Sequence, residues 1–200
     1  MTHPNGLIIF VKNPRLGFGK SRIAETAGKE RALQIYRALL AHTREVALAV
    51  HAHRYLYYST FVDEADAWSA AEFRKALQPE GDLGARMEAA FGDVLQRHRR
   101  AVIIGSDCAQ LTPAIVERGF AALATHDAVI GPATDGGYYL LGLNSLAVDV
   151  FRNMTWSVDT VGEQTIRRLE AAGRSVARLP TLSDIDTEAD WARYGWPLGS

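Results

Sequence analysis

The chain has 200 residues, of which 48% are hydrophobic and 22% are charged, and its formal net charge is −1. These values are typical of one globular domain and give no reason to expect nucleic acid or an acidic membrane surface as a partner. Because we find no signal peptide and no apolar run of roughly 18 residues, we expect a cytoplasmic protein without a membrane span. The single cysteine, Cys108, excludes an internal disulfide and a cysteine-based zinc site.

The N-terminal half alternates short apolar runs with stretches of helical periodicity. Its predicted strands are residues 6–12 (GLIIFVK), 54–59 (RYLYYS) and 101–107 (AVIIGSD). Its predicted helices are residues 29–49, 63–77 (DEADAWSAAEFRKAL) and 85–98. The segment between the last two helices, QPEGDLG (78–84), is predicted as a loop.

The C-terminal half continues the same alternation. A helix is predicted from Thr112-Pro113, an N-cap followed by a proline, to about residue 124. Strands are predicted at DAVIGPA (127–133), YYLLGL (138–143) and SVARLP (175–180), and helices at 158–172 and after the capping-box pair Thr187 and Asp190. The alternation predicts an α/β fold, a single domain with a mainly parallel sheet flanked by helices, in which the two strands around TDGG form an antiparallel pair.

Ligands of open α/β sheets bind at the carboxyl ends of the strands, so the polar residues that follow each strand are the candidate site. The first such segment is KNPRLGFGKSR (12–22), in which Gly17 and Gly19 permit close backbone approach and Lys12, Lys20 and Arg22 offer phosphate donors. The alternative interpretation is a solvated basic turn. Near the end of this segment, the run Gly19-Lys20-Ser21 resembles part of a phosphate-binding P-loop.

A P-loop requires a glycine where this chain has Pro14. Proline lacks the N–H that a P-loop directs at phosphate, so a P-loop NTPase or kinase is disfavoured. A dinucleotide-binding motif is disfavoured as well, because Arg22 stands where the third glycine would be.

Two aspartates are candidate ligands of Mg²⁺ or Mn²⁺. Asp107 ends a buried strand, where a carboxylate is well placed to hold such an ion beside phosphates. Asp186, in the segment LSDID, is the second candidate. The alternative for Asp107 is a turn cap, and for Asp186 a helix cap.

Two glycine-containing segments are candidate contacts for the rest of a substrate. Asp135, Gly136, Gly137 and Tyr138 are predicted to bind a sugar or ribose hydroxyl, or else to form only a hairpin turn. Gly81, Asp82, Leu83 and Gly84 are predicted to hold a base or phosphate at a helix start, or else to be an ordinary helix N-terminus.

Taken together, the motifs IIFVKNPRLGFGKSRI, GDLGARM, VIIGSDCAQLTP, GPATDGGYYLLGL, WSVDTV and DIDTEAD resemble a known bacterial family. It is the radical-SAM/selenodomain-associated transferase 1 family, also described as arsenosugar-biosynthesis glycosyltransferases. The resemblance implies the nucleotide-diphospho-sugar transferase fold of glycosyltransferase type A. A more distant similarity runs to 2-phospholactate guanylyltransferase and other small nucleotidyltransferases.

The resemblance implies a role for each candidate. Lys12, Lys20 and Arg22 would face the nucleotide phosphates, Gly81 to Gly84 would lie near the nucleoside, and Asp135 to Tyr138 would line the acceptor or sugar pocket. Asp107 would hold the metal, with Asp186 similar to a second metal aspartate. We assign Lys20 and Asp107 as catalytic, and Pro14, Gly17 and Gly19 to the nucleotide-binding loop.

Three functions remain open at this point. A metal-dependent glycosyltransferase would move a sugar from a nucleotide-diphospho-sugar to a small acceptor. A nucleotidyltransferase would join a nucleoside triphosphate to a small phosphorylated substrate. A non-catalytic nucleotide-binding domain would keep the fold without turnover. A homodimer is the oligomeric state to expect first, since two-fold dimers are the commonest oligomers.

Overall fold

The computed structural model describes residues 3–198, within which seven strands and six α-helices form. The strands are β1 (Asn5–Val11), β2 (His53–Tyr58), β3 (Phe73–Leu77), β4 (Arg100–Ile104), β5 (Ala128–Pro132), β6 (Tyr138–Leu143) and β7 (Val176–Arg178). The helices are α1 (Ser21–Ala27), α2 (Lys29–Ala49), α3 (Leu83–Leu95), α4 (Pro113–Ala122), α5 (Val161–Ala171) and α6 (Glu188–Tyr194). None of the helices in this part of the chain is long and apolar enough to cross a membrane.

The strands form one mixed sheet in the order β3-β2-β1-β4-β6-β5-β7. Neighbouring strands are parallel except around β6, which is antiparallel to both β4 and β5. The reversal follows from the short β5–β6 connection, in which the amide of Ala133 donates to Gly137 O and the amide of Gly136 donates to Ala133 O. The prediction of a mainly parallel α/β sheet with one antiparallel hairpin is therefore confirmed.

Helices cover both faces of the sheet because β1 and β4 are apolar on both sides. Leu7 and Ile9 of β1 pack in one buried cluster with α2 and α4. Ile8 packs on the opposite face with Phe91 of α3. A third cluster, which includes Ile23 and Ile185, joins α1, α2 and α6 beside the carboxyl ends of the central strands.

The predicted helix at residues 63–77 is wrong. This segment is a series of turns followed by the edge strand β3, which pairs in parallel with β2. The side chains of Asp63, Asp66 and Ser69 each accept a hydrogen bond from the main-chain amide two residues later, at 3.0, 3.0 and 3.3 Å. Such local bonds compete with helical ones, and Phe73 then packs edge-on against Trp68 with ring centroids 4.9 Å apart.

Several helix boundaries also differ from the predictions, among them the end of α3 at Leu95 instead of residue 98. Helix α1 begins inside the predicted loop at Ser21, and Gly28, at φ +87°, separates it from α2. Helix α3 begins two residues earlier than predicted because Asp82 caps it, accepting from the amide of Ala85. Helix α5 begins at Val161 instead of residue 158.

Candidate active site

A cleft of about 330 Å³ opens at the carboxyl ends of the central strands. Its lining comes from β1, β6, α2 and α3 and from the segments that follow β1, β2, β3, β4 and β7. It includes Lys12, Tyr36, Ser59, Gln78, Leu83, Arg86, Ser106, Asp107, Tyr138 and Asp184. A more polar hollow of about 390 Å³ is lined by Gly19, Lys20, Ser21, Arg22, Ser157 and Asp186. Lys12, Tyr36 and Asp107 line both spaces, so the two are parts of one site.

Lys20 lies at the centre of the hollow and pairs with both predicted metal aspartates. Its Nζ is 2.8 Å from Asp107 Oδ1 and 3.9 Å from Asp186 Oδ1, and it also donates to the carbonyl oxygen of Ile185. The Lys20 side chain is only 5% exposed, whereas each aspartate is about 40% exposed. The structure thus brings together three residues that are far apart in the chain.

Main-chain hydrogen bonds explain how the two aspartates meet. After β7 the chain runs beside the end of β5, where the amide of Thr134 donates to Leu182 O. The amide of Ser183 donates to Gln110 Oε1 at 3.0 Å. The amide of Ile185 donates to Asp107 O at 2.8 Å, which places the following residue, Asp186, beside Lys20.

Asp184 lies in the same region, near the carboxylates of Asp107, Asp135 and Asp186. Burial and the nearby carboxylates of Asp107 and Asp135 raise the pKa of Asp184 to about 7, although the Lys20 ammonium acts in the opposite direction. Asp135, Asp107 and Asp186 therefore all contribute to one negative field. Carboxylate and carbonyl oxygens are the ligands that Mg²⁺ and Mn²⁺ prefer.

The oxygen atoms around Lys20 are of the chemical type that binds Mg²⁺ or Mn²⁺. Two carboxylates and the Ile185 carbonyl direct oxygens at one cation, the ammonium of Lys20. Within residues 3–198, however, no three His, Cys, Asp or Glu side chains are arranged together as a metal site. The ammonium therefore takes the position of a cation between the carboxylates.

The basic loop contributes unequally to the site. Lys12 is exposed and lines both spaces, and Gly19, at φ +76°, lines the hollow. Gly17 is also left-handed, at φ +80°, but its nearest side chain is Lys29. Pro14 faces a separate pocket between the loop and α2. Arg22 is 71% exposed and lies 3.5 Å from Asp186.

The TDGG segment forms the hairpin turn between β5 and β6, as the alternative interpretation predicted. Asp135 accepts from the amide of Gly137 at 2.9 Å. Gly136 has φ +88°, and a Cβ there would lie 1.8 Å from the carbonyl oxygen of Asp159. Close packing against the chain at Asp159 therefore accounts for this glycine. Tyr138 lines the cleft, as expected for the proposed pocket.

The GDLG segment forms a helix start at the rim of the cleft. Asp82 is the N-cap of α3 and accepts from the amide of Ala85 at 2.8 Å. A Cβ at Gly84 would lie 2.1 Å from Phe151 O and 2.7 Å from the Trp156 ring, so packing requires this glycine. Leu83 is 43% exposed and lines the cleft, whereas Gly81 has φ +115° and precedes the cap.

Sequence reasoning missed two polar residues of the cleft. Arg86 donates to Gly81 O at 2.9 Å and to Gln78 Oε1 at 3.3 Å, and Gln78 in turn donates to Tyr57 O at 3.2 Å. Recognising Asp82 as the helix cap would have placed Arg86 one turn into α3, facing the same side as the GDLG loop.

Tyr36 of α2 also lines the cleft and is not among the predicted site residues. Its hydroxyl accepts from the Lys12 amide at 2.8 Å and donates to Lys12 O at 2.9 Å, so it holds the end of β1. Burial raises the pKa of Tyr36 to about 12, which keeps the phenol protonated at neutral pH.

Cys108 is 5% exposed, and burial together with Asp184 raises its pKa to about 12. A buried thiol with a raised pKa is protonated at neutral pH and is therefore not a nucleophile.

Comparison with known proteins places the chain among bacterial proteins of one fold. A family model described as "Uncharacterized protein conserved in bacteria (DUF2064)" matches residues 41–158. A protein from Desulfovibrio desulfuricans G20 with a crystal structure, assigned as a nucleotide-diphospho-sugar transferase, shares 30% sequence identity with this chain. The match covers 94% of this chain and 84% of that chain, with a TM-score of 0.85. No curated protein matches the chain significantly.

More distant solved structures share the fold alone. Rv0371c from Mycobacterium tuberculosis H37Rv, in complex with manganese, is 17% identical over 95% of this chain and 96% of that chain, with a TM-score of 0.57. The 4-diphosphocytidyl-2C-methyl-D-erythritol synthase of Anaerococcus prevotii DSM 20548 is 11% identical over 96% and 94%, with a TM-score of 0.61. These structures confirm the predicted fold, and the 30% identical relative confirms the predicted enzyme class, a transferase.

Proposed function

The chain belongs to the DUF2064 family and to the nucleotide-diphospho-sugar transferase superfamily, and we propose that it moves a sugar from a nucleotide-diphospho-sugar to a small acceptor. Within that superfamily we assign it to the radical-SAM/selenodomain-associated transferase 1 group that its motifs resemble. The reaction is proposed to depend on a divalent metal ion.

One observation carries the proposal: the cleft and the charged hollow adjoin each other, since Lys12, Tyr36 and Asp107 line both. A nucleoside in the cleft beside Leu83 and Arg86 would direct its phosphates toward Lys12 and Lys20. The sugar would then lie near Tyr138 and Asp135. This arrangement matches a ligand with a flat base at one end, two phosphates in the middle and a hydroxyl-rich group beyond.

The protein's own residues serve the leaving diphosphate in this reaction. Lys12, Lys20 and Arg22 supply the positive charge that stabilises the phosphates as negative charge develops on them. Asp107 and Asp186 would hold Mg²⁺ or Mn²⁺, which when bound adds further charge neutralisation at the diphosphate. The manganese complex of Rv0371c supports the choice of ion as a fold-level analogy only.

Nucleotidyl transfer is the second candidate, and the number of cations favours it. Three basic side chains, Lys12, Lys20 and Arg22, line the hollow, which suits the three phosphates of a nucleoside triphosphate. In this version a phosphorylated substrate attacks the α-phosphate and diphosphate leaves. Glycosyl transfer is preferred because the 30% identical relative is assigned as a nucleotide-diphospho-sugar transferase.

Measuring the leaving group separates the two reactions. The protein is incubated with Mn²⁺ and a panel of UDP-, GDP- and dTDP-sugars, or with the four nucleoside triphosphates, together with a pool of small hydroxyl-bearing and phosphorylated acceptors. Release of a nucleoside diphosphate from one sugar donor supports glycosyl transfer, whereas release of diphosphate from one triphosphate supports nucleotidyl transfer.

Thermal-shift measurements on the same panel test binding independently of turnover. We expect a metal-dependent shift with one nucleotide class, and its loss in Lys12→Ala, which removes a charge that both spaces share. Arg167→Ala on α5 is the matched control, because Arg167 is exposed and lines neither space. Binding without release of either leaving group would favour the non-catalytic domain, and no shift with any ligand would refute the site.

A further inference from the structure

The ammonium group of Lys20 lies where the oxygens of the site converge. Asp107 Oδ1 is 2.8 Å away, Asp186 Oδ1 is 3.9 Å away, and the Ile185 carbonyl accepts a hydrogen bond from the same nitrogen. The lysine side chain is 5% exposed, whereas the two aspartate side chains are 43% and 42% exposed, so the ammonium is buried beneath carboxylates that reach solvent. Lys20 therefore offsets part of the negative charge of the two aspartates within the protein itself.

The main chain at Lys20 is specialised for this position. Lys20 has φ +49° and ψ +44°, the left-handed conformation that costs a residue with a Cβ about 1–2 kcal/mol. Two left-handed glycines, Gly17 and Gly19, precede it, and helix α1 begins immediately after it. This backbone turn directs the lysine side chain inward, whereas Arg22, two residues later, remains 71% exposed.

A divalent ion and this ammonium cannot occupy the same position. Oxygen ligands of Mg²⁺ lie about 2.0–2.1 Å from the ion, so an ion held by Asp107 and Asp186 would displace the ammonium that now separates them. Two cations that close would also repel each other strongly in a partly buried site. Lys20 must therefore move before the aspartates can act as metal ligands.

We propose that Lys20 is a resident counter-ion that keeps divalent metal out of the nucleotide-free site, so that metal and nucleotide bind together. The inference rests on the proposed function and concerns the order and coupling of binding. The phosphates of an incoming metal–nucleotide complex give the displaced ammonium a new anionic partner in the same hollow. Metal alone offers no such partner, and the cost of displacing Lys20 then weakens its binding.

The test is a Mn²⁺ titration of the nucleotide-free protein, with free Mn²⁺ measured by electron paramagnetic resonance. We expect Lys20→Met to bind Mn²⁺ at least about tenfold more tightly than the unaltered chain, because the competing charge is gone. Lys12→Met is the matched control: it removes the same charge from the same hollow, but no ion pair joins Lys12 to a carboxylate within residues 3–198. It should change the affinity by less than about threefold.

Lys20→Arg and Lys20→Gln complete the design. The arginine variant keeps the charge and should retain weak Mn²⁺ binding, whereas the glutamine variant should bind Mn²⁺ tightly and serves if the methionine variant does not fold. Adding UDP and GDP to each variant should strengthen Mn²⁺ binding much more in the unaltered chain than in Lys20→Gln.

The outcomes are distinguishable from failure of the proposed function. If the unaltered chain binds Mn²⁺ with a nucleotide, but Lys20→Met and Lys20→Gln bind Mn²⁺ alone no more tightly than Lys12→Met, the counter-ion role is refuted and the transferase proposal stands. If no form of the protein binds Mn²⁺ or nucleotide, both are refuted.

Discussion

The main-chain amide of Ile185 donates a hydrogen bond to the carbonyl oxygen of Asp107 over 2.8 Å. This bond joins the segment after β4 to the segment after β7. The Ile185 side chain is fully buried in the cluster formed by α1, α2 and α6. The separation of Asp107 and Asp186 is therefore set by core packing and a backbone bond, and not by the two carboxylates themselves, which repel each other.

Replacing the Asp107 carboxylate should remove function without unfolding the protein. Asp107→Asn keeps the main-chain bond to Ile185 but loses the charge that pairs with Lys20. We expect the transfer rate to fall by about 10²–10³-fold and Mn²⁺ binding with nucleotide to be lost. Steady-state kinetics and calorimetry measure these effects. Asp93→Asn is the control, because Asp93 lies outside the site, where it pairs with Arg97 and accepts a long hydrogen bond from the Tyr57 hydroxyl. Equal losses in both variants would contradict a role for Asp107.

Two glycines of α3 should respond to alanine in opposite directions. A Cβ at Gly84 meets Phe151 O at 2.1 Å and the Trp156 ring at 2.7 Å, so Gly84→Ala should lower the free energy of unfolding by about 1–3 kcal/mol. At Gly92 no atom lies within 4 Å of the added Cβ, and Gly92→Ala should raise it by up to about 1 kcal/mol through helix propensity. Urea unfolding of both variants measures the difference, and the same sign for both would show that the packing is different.

The ion pair between Lys75 of β3 and Asp66 is largely buried and should stabilise the edge strand. Lys75 Nζ lies 2.8 Å from Asp66 Oδ1, and the lysine side chain is 5% exposed. Asp66→Ala leaves that ammonium with the Asp63 carbonyl but without its charged partner, and it also removes the acceptor of the Tyr58 hydroxyl. It should lower the free energy of unfolding by about 3 kcal/mol. The double variant Asp66→Ala/Lys75→Met should lose less than the sum of the single variants.

A chemical-denaturation double-mutant cycle measures this coupling. The exposed pair Arg178 and Glu163, 3.0 Å apart, is the control and should show less than about 1 kcal/mol. Additive effects at Asp66 and Lys75 would exclude the coupling.

The capping box of α6 should make stability depend on acid pH. Partial burial raises the pKa of Asp190. Hydrogen bonds from Thr187 and from the Asp186 amide lower the pKa, as does the charge of Lys20, and together these effects outweigh burial. The pKa of Asp190 therefore lies below its ordinary value. A depressed pKa in the folded state contributes stability above the unfolded value of about 3.9, and this contribution is lost as the pH falls through the folded pKa.

Asp190→Ala should therefore lower the free energy of unfolding by about 1 kcal/mol at pH 7, and the deficit should shrink as the pH falls below about 4. Urea unfolding at several pH values measures it. Thr187→Ala is the control, because its hydroxyl accepts from the Asp190 amide, which does not titrate, and part of its deficit should remain at pH 3. A pH-independent deficit in Asp190→Ala would contradict the assignment.

Much of the fold follows from local signals in the sequence. The buried runs of β1 and β4 are continuous apolar segments, and α2 has the predicted bounds, 29–49, because its apolar positions recur at helical spacing. The caps at Thr112 and Thr187 were predicted for the same reason, since a cap and its helix are neighbours in the chain. These features depend on interactions within about four residues.

Tertiary structure alone decided the features that depend on distant partners. The alanine-rich segment 63–77 has helical propensity, but pairing with β2 and packing of Phe73 on Trp68 make its end a strand. Gly136 is required by Asp159, a partner that its own turn does not reveal. The sequence identified Lys20, Asp107 and Asp186 as separate candidates for phosphate and metal. Only folding, through the hydrogen bond between Ile185 and Asp107 and the left-handed turn at Lys20, places the lysine between the two carboxylates.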